Sequence, residues 1–224
     1  MDIKNIYDKI VKIIEGDEKQ SQLLEEIKKE LEIEILLNWK KANKWIKAAF
    51  KRLQKENDYR EAFKSVLICN DETFSITNGY FLVNYKKEQL PKELEPYINY
   101  KAEKSNFTYD YFLNTGTERE LVSLNYDFLM KYNKHLKLNK LRSMYVFEND
   151  FSFNIDYLID ILTFLGYKDM KNIKMLVPKT DRKSPLLIES ENGNAILLPI
   201  YNADRNKTEE ALKMQHNFAN EYLQ

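Results

Sequence analysis

Apolar residues near the start of the chain recur at helical spacing. Ile3, Ile6, Ile10 and Ile14 share one face of a helix over residues 3–15, and Gly16 ends it. Leu24, Ile27 and Leu31 repeat that period after Ser21 and predict a second short helix. The period then drops to two: Leu31, Ile33, Ile35 and Leu37 alternate with Glu32 and Glu34, as a half-buried strand requires. Leu24, Ile27, Leu31 and Ile35 also fit one helical face, so a single helix over 21–55 is the alternative to helix–strand–helix. Residues 38–55 carry the clearest helical signal, a wide stripe of Ala42, Trp45, Ile46, Ala49, Phe50 and Leu53.

Three strand-like runs follow, Phe63–Cys69, Thr73–Thr77 and Tyr80–Tyr85, with Asn70-Asp71 and Asn78-Gly79 as turns. The same order returns late in the chain. Phe151–Ile155 is strand-like, 156–165 is helical with Leu158, Ile161, Leu162 and Leu165 on one face, and Gly166 stops it. Strands are then expected at Ile173–Val177, Leu186–Glu189 and Ala195–Ile200, with Asn192-Gly193-Asn194 as the last hairpin turn. Between the two halves, residues 87–150 show weak periodicity, with a helix over Asn125–Leu136 and a strand over Ser143–Phe147. A final helix over Asn206–Leu223 carries Ala211, Met214, Phe218 and Tyr222 on one face. The pattern divides the chain into a helical segment over 1–30, an α+β domain over 31–205 with an insertion at about 87–150, and a C-terminal helix over 206–224.

Composition narrows the function classes. The 224 residues are 43% hydrophobic and 31% charged, a globular composition long enough for a core without disulfides or metals. Cys69 is the single cysteine, which excludes an intrachain disulfide and leaves a buried packing residue as the expectation. No apolar run reaches the ~18 residues of a membrane span, and the N-terminus lacks a signal peptide's apolar block, so a cytoplasmic protein is expected. Thirty-five basic and 35 acidic residues cancel, so a nucleic-acid site requires local segregation of charge.

That segregation is present in one helix. Lys40, Lys44, Lys47, Lys51 and Lys55 follow helical spacing on a second face of 38–55, with Lys41 and Arg52 alongside and no acidic residue in the span. Cations so arranged reach successive phosphates of duplex DNA irrespective of sequence. Lys40, Lys44, Lys47, Lys51, Arg52 and Lys55 are therefore the candidate DNA-binding residues. Tyr97, Tyr100, Phe107, Tyr109, Tyr111 and Phe112, interleaved with Lys101 and Lys104, form an aromatic stretch that either stacks on single-stranded bases or closes the insertion over the core. The second role is the expected one.

Catalytic patterns are missing. There is no glycine-rich phosphate loop, nucleophile elbow or zincin motif. His135 and His216 stand apart on polar helical stretches, and Glu25-Glu26, Glu209-Glu210 and Glu189 with Glu191 read as exposed carboxylates. A non-enzyme without cofactor or metal is the expectation.

The run FSITNGYFLVNY (Phe74–Tyr85) resembles the strand–turn–strand of bacterial DNA sliding clamps, the processivity subunits of replicative polymerases. SPLLIESENGNAILLPIY (Ser184–Tyr201) is similar to the closing hairpin of that family, and NIDYLIDILTFLG (Asn154–Gly166) to the helix before it. Small clamp-like proteins of phages and mobile elements pair these two halves. The resemblance spans about 32–86 and 151–201 and implies a DNA-clamp-like domain of two βαβββ repeats, here with an insertion and extra terminal helices. It further implies a non-catalytic replication accessory role, with double-stranded DNA and a polymerase or other replication protein as partners. Asn78 stands where the family usually has Asp, and Phe81 where it usually has Arg. Family rings turn basic helices toward a central hole; 38–55 fits that, whereas the second helix carries Asp156 and Asp160. An interaction scaffold with the same fold and no DNA contact is the alternative, and the oligomeric state stays open.

Overall fold

The computed structural model of the chain describes residues 44–57, 59–70, 72–100, 109–110, 116–147, 151–166, 173–181, 183–200 and 205–222. The elements expected at 3–15, after Ser21, over 31–37 and in the first residues of 38–55 lie outside that set. Contacts divide the chain into Met1–Trp45 and Ile46–Gln224. Apart from Lys44 and Trp45, every residue described below belongs to the second unit.

Two three-stranded meanders supply most of one sheet. The first is β1 (Leu67–Asn70), β2 (Thr73–Thr77) and β3 (Phe81–Lys86); the second is β7 (Lys174–Pro178), β8 (Leu186–Ser190) and β9 (Gly193–Leu197). Their third strands pair with each other, and β4 (Arg119–Val122) closes the far edge, giving the order β1-β2-β3-β9-β8-β7-β4. Every pairing in this sheet is antiparallel. A separate pair joins β5 (Met144–Val146) to β6 (Ser152–Asn154). The protein is thus α+β with a large antiparallel sheet, as the order of periodicities predicts.

Alternation along the strands decides which face is covered. Phe74 and Ile76, then Phe81, Val83 and Tyr85, then Met175 and Val177, then Leu186 and Ile188, then Ala195 and Leu197, all point into the main core. Each large side chain so buried contributes about 1.5–3 kcal/mol. Helix α1 (44–56) brings Ala49, Phe50 and Leu53 into the same core. Helix α3 (Ile155–Phe164) packs on β3 and β9 and is buried on nearly every side, leaving Asp156 and Tyr157 partly exposed. Helix α2 (Tyr126–Leu138) lies on α3, and α4 (Arg205–Tyr222) on β5 and α2. Gln215 anchors α4 by exchanging both amide groups with the backbone of Val146, at 3.1 and 2.9 Å.

On the opposite face, cross-strand partners line up Leu82, Ile196, Leu187, Leu176 and Leu121 in one row. Tyr109 lies over its buried members, donating its N–H to Asn84 Oδ1 at 2.6 Å and its hydroxyl to Glu189 Oε1 at 3.0 Å. Residues 87–150 thus contribute both an edge strand and a cover to the main sheet.

Several boundaries differ from the sequence expectation. Glu61–Lys64 is a 3-10 turn, so the strand expected from Phe63 begins at Leu67. Trp45, expected in the apolar stripe, is 53% exposed. The second hairpin pairs Ser190 with Gly193, so its loop is Glu191-Asn192 and Gly193 already belongs to β9, which ends at Leu197 and not at Ile200. A Cβ on Gly193 would stand 2.6 Å from Asn84 O, which is why glycine enters the strand there.

Candidate nucleic-acid interface

Helix α1 divides cleanly by polarity. Ala49, Phe50 and Leu53 are buried and Ile46 is half-buried, while Lys44, Lys47, Lys51 and Lys55 are all exposed. Phe50 packs on Tyr97 with ring centroids 4.8 Å apart, which fixes the buried side. Among the described residues, Lys47, Lys51 and Lys55 have no carboxylate partner. An uncompensated row of ammonium groups on a rigid helix presents charge to a polyanion at low reorganisation cost. Lys40 lies outside the described residues.

Arg52 stands apart from that row. Its guanidinium forms an ion pair with Asp160 of α3, whose side chain is only 9% exposed. Burial pushes the Asp160 carboxyl above its ordinary value, partly offset by the hydrogen bond and charge of Arg52. Arg52 therefore ties α1 to α3 and compensates a buried acid, a task the sequence alone did not assign to it. Asp156, one turn earlier, takes Asn133 Nδ2 at 2.9 Å and Lys137 Nζ at 2.5 Å, both from α2. Burial raises that carboxyl, but hydrogen bonds from Lys137, Asn133 and Ser143 outweigh it and hold the group below its ordinary value. Both acids of the second helix are thus neutralised by neighbours, and α3 is covered on that side by α2.

At the C-terminal end of α1 the Asn78 turn docks. Asn78, 3% exposed, accepts the backbone N–H groups of Tyr80 and Phe81 on Oδ1, at 2.9 and 3.0 Å, and its Nδ2 lies 3.5 Å from Glu56 Oε2. Arg60 reaches the carbonyl of Asn78 and lies over the rings of Tyr59 and Phe63, at 4.9 and 5.5 Å. Tyr80 stacks on Tyr157 of α3 with centroids 5.8 Å apart.

Several of the remaining candidates take structural roles where they are described. Tyr97 packs against the core and Tyr109 is 3% exposed over the apolar row, whereas Tyr100 is 76% exposed. Phe107, Tyr111, Phe112, Lys101 and Lys104 lie outside the described residues. Cys69 is buried with Sγ 2.6 Å from Ser75 Oγ. His135 packs on Phe218 at 4.9 Å, and Glu189 accepts from Tyr109. Among the described residues, no group of three or more His, Cys, Asp or Glu is placed to hold a metal, and no helix is long and apolar enough to cross a membrane. A groove of about 610 Å³ runs between β4, β5 and α4, lined by Leu121, Phe128, Tyr145, Gln215 and His216 among others.

One set of basic residues escaped the sequence reading. Lys131, Lys134 and Lys137, with Lys140 just beyond the helix end, recur every third residue along α2. That spacing was visible in the chain, on a helix the periodicity already predicts over Asn125–Leu136.

Comparison of the chain with protein-family models, with curated proteins and with solved structures finds no match in any of the three.

Proposed function

We propose that this protein is a non-catalytic, DNA-associated replication accessory factor whose fold resembles a sliding-clamp domain, and that it contacts duplex DNA through Lys47, Lys51 and Lys55 on α1. The observation that carries the reading is the exposed row Lys47, Lys51 and Lys55 on α1, which has no carboxylate partner among the described residues. Support for the clamp-like part comes from topology: a helix followed by a three-stranded meander occurs twice, and the two meanders meet through an antiparallel β3–β9 pairing. Such an order has the form of two repeats related by a two-fold axis between β3 and β9.

Because α3 is covered and its acids are paired, α1 alone of these two helices offers DNA a basic face. The reading is accordingly of a one-sided contact with the phosphate backbone, with a polymerase or another replication protein as the associated partner. The second reading, an interaction scaffold that ignores DNA, draws on the groove beside β4, where Leu121 is 67% exposed on an edge strand.

Charge reversal separates the two. Lys47→Glu/Lys51→Glu/Lys55→Glu is expected to weaken binding to a labelled duplex by about 100-fold or more at low salt, through loss of roughly three phosphate contacts. The same variant should keep the parent's melting temperature, because all three side chains are exposed. Undiminished binding by the variant would refute the α1 contact and leave the scaffold as the better reading.

A further inference from the structure

The geometry points to a second phosphate-contacting element beside α1: the C-terminal half of α2, with Lys134 and Lys140 as its contacts to duplex DNA. This rests on the reading of α1 as DNA-contacting and extends the binding surface to an element outside the two meander units.

The placement follows from α3. Asp156 and Asp160 are four residues apart and so lie on one stripe of that helix, about 6 Å from each other. Lys137 and Asn133 of α2 engage the first, and Arg52 of α1 engages the second. Helices α1 and α2 are therefore held to the same stripe, on the side of the sheet where the helices pack. Lys134 and Lys140 thus belong to an element that meets α3 within about one helical turn of where α1 meets it. The two carboxylates between them are each matched by a cation, while Glu56 at the end of α1 adds an exposed carboxylate near Asp160.

The outer face of α2 is basic in its own right. Leu129, Tyr132, Asn133 and Leu136 are its buried side, and Lys131, Lys134 and Lys137 project from the other. Lys131 lies 4.3 Å above the ring of Tyr222, and Lys137 is engaged by Asp156. Lys134 and Lys140 are exposed and make no ion pair among the described residues, which leaves both ammonium groups available to an anion.

A second, independent feature marks Lys140. The helix ends in a Schellman motif: Leu141 N–H donates to Leu136 O at 2.8 Å and Lys140 N–H to Lys137 O at 3.2 Å. The residue at the turning point of that motif has positive φ, where glycine is strongly favoured. Lys140 occupies it with φ +54°. Both bonds of the motif are made by the backbone, so the cap does not need this side chain. A cation stands at a backbone position that disfavours it, and helix-dipole stabilisation alone would be served equally well by Lys137 and Lys134 with glycine at 140.

The test is duplex binding by fluorescence anisotropy, with a labelled duplex of about two helical turns, on the full chain. Lys134→Glu/Lys140→Glu is compared with Lys86→Glu/Lys174→Glu, an equal charge change on the opposite face of the sheet. The first pair is expected to weaken binding about 10-fold or more and to reduce the salt slope by about 1.8, at roughly 0.9 for each phosphate lost. The second pair should stay within about two-fold of the parent. Lys140→Gly should bind several-fold more weakly while melting about 2–4 °C higher, a combination that loss of fold does not produce. If Lys134→Glu/Lys140→Glu binds as the opposite-face control does, while Lys47→Glu/Lys51→Glu/Lys55→Glu is weakened, the α2 contact is overturned and the α1 contact stands. If neither lysine set matters, or the parent shows no affinity, both fall.

Discussion

Asn78 illustrates how much a single residue settles here. Its Oδ1 replaces two backbone acceptors that the tight β2–β3 connection lacks, holding Tyr80 and Phe81 N–H groups. The dipeptide Asn78-Gly79 announces a turn, and Gly79 indeed takes φ +87°. Yet the last paired residues are Thr77 and Leu82, so the loop spans four residues where the dipeptide alone suggests two. Side-chain capture of two N–H groups makes the longer loop stable, and that capture is invisible to dipeptide preference. An amide rather than a carboxylate at this position also has a local reason. An amide faces Glu56 where a carboxylate would place two like charges 3.5 Å apart. Asn78→Ala is expected to cost about 1–3 kcal/mol by orphaning a buried N–H. Asn78→Asp should cost less, and its deficit should shrink as the pH is lowered toward the carboxylate range. Urea midpoints at neutral and acidic pH would check both, and an Ala variant as stable as the parent would remove the turn from this role.

At the scale of elements, legibility followed burial. Strands with one face in the core announced themselves by alternation, and β2 matches its expected range residue for residue. Helices α1, α2 and α3 each carried a stripe that could be seen. The strand β4 was missed because it is short and its burial is shallow: Val122 is only half-buried and Leu121 is largely exposed at the sheet edge. The pairing of α1 and α2 onto α3 was missed for another reason. Asp156 and Asp160 read only as acidic positions of the second helix, whereas Asp160 is 6% exposed and compensated across the chain by Arg52. Long-range ion pairs leave no periodic trace.

That docking has a pH signature. Asp156 is held below its ordinary value of 3.8, so the folded state binds its proton more weakly than the unfolded chain does. Its contribution to stability is complete above that ordinary value and is lost as the pH falls through the lowered one. Asp160 runs the opposite way: its raised carboxyl makes stability decline as the pH climbs from the ordinary value to the raised one. Asp156→Asn should therefore be less stable than the parent at neutral pH, with the difference closing as the pH drops below about 3.8. A difference that is constant across acid titration of the unfolding midpoint would exclude the Lys137–Asp156 contact as its source.

Over the whole molecule, net charge is zero, 35 against 35, so no general attraction to nucleic acid exists. Affinity has to arise from segregation, and the arrangement of layers provides it. The sheet's two faces are unequal: one bears the helices with Lys47, Lys51, Lys55 and Lys134, and the other bears a leucine row under Tyr109. The candidate lysines of α1 were legible because charge on a solvated helix face obeys the same period as the core stripe. Those of α2 required knowing that α1 and α2 meet the same stripe of α3, which is a tertiary fact.

The central claim is that duplex DNA meets a defined set of lysines, and counterion release measures that most directly. Duplex affinity of the full chain should be recorded across a series of salt concentrations at fixed pH. A linear fall of log K against log salt, with a slope at least as steep as about −2.7 for three neutralised phosphates, is the predicted result. A slope near zero, or no binding at the lowest salt, would contradict the account.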